Sequence, residues 1–229
     1  MRLGFCISGA GRMACAILAA REQGLLGFEK PVFLTDKKGA FYEHAREQGL
    51  ETILVERAVS EPVSEYKAKI DRAVQNMPVD GLFLTFDWLL STETVVRFAP
   101  RILNLHMALL PLFPGKGALS AALSSGMTLA GATIHQVDAG MDTGPIVGQV
   151  VTPIAPGMDE GALGKEIFKA ALPLAIQTVR WLEQGYICNE RSRRVRISQA
   201  QYPPGSACSP SVDADINAFS SSYIIAMLG

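Results

Sequence analysis

Asn104 and His106 stand on either side of Leu105 at the end of a short apolar run, and few residues in the chain are better placed to do chemistry. If that run is a strand, alternation sends both side chains to the same face. A carboxamide beside an imidazole offers hydrogen-bond donors to an oxygen that gains negative charge, together with a group that can carry a proton. A carboxylate able to orient the imidazole lies in Asp138-Ala139-Gly140-Met141-Asp142-Thr143-Gly144-Pro145. Taken alone, that stretch reads as an ordinary Asx-type turn. Taken with Asn104 and His106, its Asp142 becomes a third candidate. The chain has three histidines. His44 falls among charges in an amphipathic helix and reads as surface. His135 lies inside a strand and reads as packing or as support for the site.

A second pattern is Gly9-Ala10-Gly11-Arg12-Met13-Ala14, a G-x-G-x-x-A turn between a strand and a helix. Glycines there permit a tight turn and let a ligand approach the helix N-terminus closely. Asp36, at the end of the second strand, could then hold a ribose, so an NAD(P)-dependent oxidoreductase is the competing reading from another class. The same glycines also serve packing alone.

The elements that must position these residues alternate apolar runs with segments of helical period. That is the pattern of a Rossmann-like α/β protein, a mostly parallel twisted sheet with helices on both faces. Strands are predicted over 3–8, 31–35, 52–55, 81–85 and 102–105, with helices over 12–23, 40–48, 64–76 and 92–97. Ligands of open α/β sheets gather beyond the carboxyl ends of the strands, which is where Asn104 and His106 fall. After His106 the character changes. Pro111, Pro114, Gly115 and Gly117 force an irregular loop. A helix over 118–124 and strands over 132–137 and 146–151 follow, then a long helix over 159–183 with Leu163, Ile167, Ala170, Leu174 and Leu182 on one side. From 199 onward Ser, Pro and Ala dominate with little periodicity. The expected division is a catalytic domain over 1–187 and a C-terminal appendage or linker over 188–229.

The chain is long enough, at 229 residues, for one generous α/β domain. Its 21 Lys and Arg against 22 Asp and Glu leave no positive excess for gripping a nucleic-acid backbone, so no nucleic-acid partner is expected. A local basic cluster, Arg191, Arg193, Arg194 and Arg196, alternates with Val195 and Ile197 and reads as the polar face of a strand. Cys6, Cys15, Cys188 and Cys208 are scattered without metal-ligand spacing, and no metal is expected; Cys6 reads as a buried thiol. The opening MRLGFCISG reads as a strand rather than a signal peptide. No apolar run approaches the ~20 residues needed to cross a bilayer. A reducing cytoplasm is the expected compartment, with no membrane partner, and a homodimer is compatible with the sequence without being specified by it.

Asn104-Leu105-His106-Met107-Ala108-Leu109-Leu110-Pro111, then Phe113-Pro114-Gly115, Gly131-Ala132-Thr133-Ile134-His135 and Met141-Asp142-Thr143-Gly144-Pro145-Ile146 resemble the folate-dependent formyltransferase family. The resemblance follows the element order from 1 to 187 and is most specific over 102–149. It implies the formyltransferase fold, with Asn104, His106 and Asp142 as a catalytic triad and 10-formyltetrahydrofolate as co-substrate. An amine would attack the formyl carbon; Asn104 and protonated His106 would donate to the oxygen turning negative, while Asp142 orients His106 and helps shuttle a proton through water. The resemblance further implies a folate pocket from Phe86, Asp87, Trp88, Leu90, Val137, Asp138 and Ala139, and acceptor contacts from Gly9, Gly11, Arg12, Met107 and His135. Members acting on glycinamide ribonucleotide carry Gly-Ser-Asn where this chain has Gly11-Arg12-Met13, and an arginine where it has Trp88. They also carry Pro-Ser where it has Met107-Ala108. The tail, from Gln201-Tyr202-Pro203-Pro204 to Asp213-Ala214-Asp215-Ile216-Asn217, is similar to the linker of sugar-nucleotide and methionyl-tRNA formyltransferases, which implies that a further domain follows. The expected acceptor is therefore an amino sugar nucleotide or other small amine, with phosphoribosylglycinamide as the alternative. A hydrolase with water as acceptor, and a non-catalytic binding module, are the remaining readings.

Overall fold

A computed structural model describes residues 1–188 and 195–228. Leu3–Ile7 (β1), Arg12–Glu22 (α1), Val32–Thr35 (β2), Ala40–Glu47 (α2), Thr52–Leu54 (β3), Val63–Gln75 (α3), Gly81–Thr85 (β4), Thr92–Phe98 (α4) and Ile102–His106 (β5) alternate along the chain. Ala118–Ser124 (α5), Leu129–Gln136 (β6), Ile146–Pro153 (β7) and Glu160–Glu183 (α6) follow. The tail adds Ile187–Cys188 (β8), Arg196–Ile197 (β9), Cys208–Ser209 (β10) and Ala214–Leu228 (α7).

Eight strands form one twisted sheet in the order β10-β7-β6-β5-β4-β1-β2-β3. Strands β1 to β5 pair in parallel, whereas β6, β7 and β10 continue the sheet antiparallel. The chain steps outward from β1 to β2 and β3, then returns to lay β4 and β5 on the other side of β1. That reversal opens a crevice beyond the carboxyl ends of β1 and β4, the usual ligand position in such sheets.

Every residue of β1, and every residue of β2, is buried, which explains why these strands read as continuous apolar runs instead of alternating ones. Alternation still decides the partners. Phe5, Phe33, Phe83 and Leu103 pack with α1 and α6 on one face. Cys6, Leu34, Leu84 and Ile102 pack with Tyr66, Ile70 and Val74 of α3 and Val95 and Phe98 of α4 on the other. Each such side chain contributes roughly 1.5–3 kcal/mol of apolar burial. Cys6 is fully buried, and loss of hydration pushes its thiol up to about 12. Strand β6 begins at Leu129, earlier than predicted, because Leu129 pairs with Pro153 and the antiparallel partner extends the ladder.

Described residues beyond 187, in the stretch expected as an appendage or linker, pack against this same core. β10 pairs with β7 at the sheet edge, and Ile216 and Phe219 of α7 join the cluster around α6. Of the basic cluster, Arg191, Arg193 and Arg194 lie outside the described residues; Arg196 is exposed in β9 between buried Val195 and Ile197. No helix among the described residues is long and apolar enough to cross a membrane.

Candidate active site

The end of β5 meets β6 in antiparallel register, with Asn104 opposite His135 and His106 opposite Thr133. Period-two alternation therefore sets Asn104, His106 and His135 on one side of the sheet. Asn104 Nδ2 lies 3.2 Å from His135 Nε2. The other nitrogen of His135, Nδ1, is 2.9 Å from the Gln136 carbonyl, to which it donates.

Buried Thr133 and its neighbour Gln149 secure the irregular loop that follows β5. The Thr133 hydroxyl donates to the Ala108 carbonyl at 2.7 Å and accepts from Leu110 N–H at 3.0 Å. Gln149 Nε2 donates to the Leu110 carbonyl at 2.9 Å. Held this way, the loop turns the Phe113 carbonyl onto His106 Nε2, 2.8 Å away. His106 Nδ1 faces Asp142 Oδ2 at 3.3 Å. Both ring nitrogens of His106 thus face acceptors, and only the doubly protonated ring donates to both.

Asp142 is delivered by the loop between β6 and β7. Asp138 shapes that loop, its Oδ1 accepting from Gly140 N–H at 3.0 Å and from the Thr143 hydroxyl at 2.7 Å. A Cβ on Gly144 would stand 1.8 Å from the Gln136 carbonyl oxygen, so only glycine closes the turn. Asp142 itself adopts φ 54°, a left-handed conformation that Asp tolerates better than most residues. Its Oδ2 accepts from Gly115 N–H at 2.7 Å and its Oδ1 lies 3.4 Å from His135 Nε2. The carboxyl is pushed down to about 2. The contact with His135 is the largest cause; burial opposes the shift, and the Gly115 N–H and the His106 imidazole add to it. By length the Gly115 bond is the firmer anchor, since 3.4 Å is long for a hydrogen bond.

A cavity of about 630 Å³ opens over this cluster. Asn104, His106, His135 and Asp142 line it, as do Phe86, Asp87, Trp88, Leu90 and Val137 on one side and Gly9, Gly11, Arg12 and Met107 on another. Asp138 and Ala139 do not line it; Asp138 instead spends its side chain on the loop. Leu84, Lys116, Glu160 and Phe168 also line the cavity and were not singled out in the sequence, and Gly115 was read only as a loop and motif glycine. Gly115 acts through its backbone, which leaves no mark beyond a glycine in a loop. Phe168 comes from α6, far along the chain, and the Arg12 guanidinium sits over its ring, 5.2 Å from the centroid. Asp36 is absent from the lining, its Oδ2 accepting from Trp88 Nε1 and from the Ser8 hydroxyl. Among the described residues no group of three or more His, Cys, Asp or Glu is arranged to hold a metal ion.

A carboxamide, two imidazoles and a depressed carboxylate thus gather in the crevice of a mixed α/β sheet, while Asp36, which a dinucleotide's ribose would need, is engaged by Trp88 and Ser8. Residues 1–179 match the formyl transferase family, and the chain belongs to it. The trifunctional purine biosynthetic protein adenosine-3 of Drosophila melanogaster is 32% identical over 182 residues, 76% of this chain and 14% of that protein. The chloroplastic phosphoribosylglycinamide formyltransferase of Vigna unguiculata is 31% identical over 83% of this chain and 62% of its own length. The chain thus spans less than two thirds of either. Among solved structures, glycinamide ribonucleotide transformylase 1 from Symbiobacterium toebii superposes with a TM-score of 0.78 at 32% identity, covering 86% of this chain and 93% of that one. A formyltetrahydrofolate deformylase from Pseudomonas syringae, 17% identical with a TM-score of 0.77, shares the fold. Formyltransferases of this family use 10-formyltetrahydrofolate as co-substrate.

Proposed function

We propose that this protein transfers the formyl group of 10-formyltetrahydrofolate to a small primary amine, with Asn104, His106 and Asp142 carrying the chemistry. The observation that carries the reading is their convergence. Side chains from a strand end and from a loop 36 residues further on meet within 3.4 Å contacts at one cavity. The co-substrate brings the formyl carbon. The wall of Leu84, Phe86, Trp88, Leu90 and Val137 offers it a largely apolar surface suited to the faces of a flat ring system. Asn104 donates through its amide to the carbonyl oxygen as that oxygen gains charge. His106 supplies a positive charge and, on releasing its longer Nδ1 contact, an N–H donor. Until that contact is released, Asp142 orients the ring. A carboxyl held near 2 is a weak base, so its part is electrostatic; the proton of the attacking amine leaves to water, the tetrahedral centre collapses by breaking its bond to N10, and N10 takes a proton from water to release tetrahydrofolate.

The acceptor best supported is phosphoribosylglycinamide, which the Vigna unguiculata and Symbiobacterium toebii proteins carry in their names, ahead of the amino sugar nucleotide that the tail and the substituted positions suggested. Arg12 fits that choice, because it presents a cation to the cavity beside the start of α1. Asn104→Ala, His106→Ala and Asp142→Ala should each lower kcat by about 10²–10³-fold while binding of a folate analogue changes little. A near-normal rate in any of them removes that residue from the mechanism. Turnover of 10-formyltetrahydrofolate with phosphoribosylglycinamide, an aminodeoxy-sugar nucleotide, or water alone tests the acceptor. Formylation of the sugar nucleotide in preference would overturn this choice.

A further inference from the structure

Asp36 closes β2 just outside the cavity, and its contacts have no part in the chemistry proposed above. Its Oδ2 accepts from Trp88 Nε1 at 2.9 Å and from the Ser8 hydroxyl at 3.0 Å. Ser8 Oγ in turn accepts the backbone N–H of Asp87 at 3.0 Å. Two successive residues of the cavity wall therefore hang, directly or through one hydroxyl, on a single carboxylate. The Trp88 ring meets Tyr66 edge-on, with centroids 4.9 Å apart and planes at 78°. Tyr66 is itself fixed, donating to the Val55 carbonyl at 2.6 Å with the Asp36 carbonyl 3.3 Å away. Burial, with the nearby Asp36 charge, pushes the Tyr66 hydroxyl up to about 12, so it remains a donor. Asp36 Oδ1 is buried with no hydrogen-bond partner among the described residues.

We propose that Asp36 is a positioning residue for the folate wall: it fixes the Trp88 indole so that the pocket is formed before the co-substrate arrives. The proposal rests on reading residues 86–90 as that wall. An indole held by a charge-assisted hydrogen bond on its N–H and by an edge contact on its ring has little rotational freedom left to lose. Release of the N–H moves the cost of ordering the ring into the binding step, and affinity falls without any change at Asn104, His106 or Asp142. The solitary Oδ1 makes a further distinction. Asparagine can place its carbonyl oxygen where Oδ2 now sits and accept the same two donors, whereas alanine accepts neither.

The test measures steady-state constants for Asp36→Ala, Asp36→Asn and Trp88→Phe, with binding of 5-formyltetrahydrofolate as an independent readout. Asp36→Ala should raise KM for 10-formyltetrahydrofolate about tenfold and leave kcat within about twofold, with Asp36→Asn close to the parent. Trp88→Phe, which keeps a ring and deletes the N–H, should raise KM in the same direction. Asp36→Ala added to it should cost no more than about a further twofold. The chain has two tryptophans, so in a Trp181→Phe background the anisotropy of ligand-free Trp88 should drop in Asp36→Ala and recover in Asp36→Asn. An unchanged KM in Asp36→Ala or in Trp88→Phe, or a fall in kcat as large as the rise in KM, overturns the proposal. A parent protein that binds no 5-formyltetrahydrofolate overturns the folate reading and the proposal with it. Parent binding matched by Asp36→Ala overturns the proposal alone.

Discussion

Asp142 joins the two imidazoles through one carboxylate, and its depressed carboxyl has a consequence for pH. The folded value of about 2 lies below the ordinary carboxylate value of roughly 4 that the unfolded chain would show. The unfolded state therefore binds the proton more readily. The stabilisation is complete above about pH 4 and disappears as pH falls through about 2. Denaturant unfolding of the parent and of Asp142→Asn across pH 7 to 2.5 should show a stability gap that is constant down to about pH 4 and narrows below it. A gap already closing at pH 6 would contradict this. Any acid limb of kcat/KM above pH 4 then belongs to a group other than Asp142. At this scale the sequence was informative about residue types. Asn104, His106 and Asp142 stand out as a donor pair and a carboxylate, and the structure brings all three to one cavity. Asp138 was less legible, because a carboxylate that faces a ligand and one that caps its own turn look alike in sequence.

At the scale of elements, the loop between β6 and β7 depends on Gly144 as well as on the hydrogen bonds of Asp138. A methyl on Gly144 meets a backbone oxygen that has nowhere to go, so Gly144→Ala must displace the segment carrying Asp142. It should lower kcat at least about tenfold and reduce the unfolding temperature by a few degrees, since overpacking costs about 1–3 kcal/mol. Gly27→Ala, whose methyl would meet open space, is the control and should alter neither. Strands and helices up to β5 were legible nearly to the residue, because buried parallel strands and the helices covering them announce themselves by period. The contact of His135 with Asn104 was not, since it depends on the antiparallel register of β5 and β6, which no local pattern fixes. Helix α7 escaped notice for a different reason: ADINAFSSSYIIAML spreads apolar and small polar residues around the helix instead of striping them.

Across the whole molecule, α7 and the turn before β2 are tied to α6 through Arg180. Its guanidinium donates to Asp213 at 2.9 Å, to Asp215 at 2.7 Å and to the Leu25 carbonyl at 3.0 Å. Both carboxylates are about half exposed, so the ion pairs alone contribute little. The better-buried guanidinium and its backbone bonds contribute more. Arg180→Ala should lower the unfolding midpoint by about 2–8 °C with kcat and KM unchanged, because the cavity lies elsewhere. Loss of activity at a temperature where the variant remains folded would show that α7 communicates with the site.

Composition and period by themselves pointed to a mostly parallel α/β fold and to Asn104 and His106 as candidates for chemistry, and the resemblance joined Asp142 to them as a triad. The fold class and the pair follow from local burial and alternation, which a chain carries in its own residue order. Tertiary structure decided which groups touch. It set His135 against Asp142, turned the Gly115 backbone onto the carboxylate, brought Phe168 under Arg12 and put Asp36 behind Trp88. The first spans a single loop, whereas the other three join residues distant in sequence, and all four depend on register and helix docking that only the packed sheet fixes.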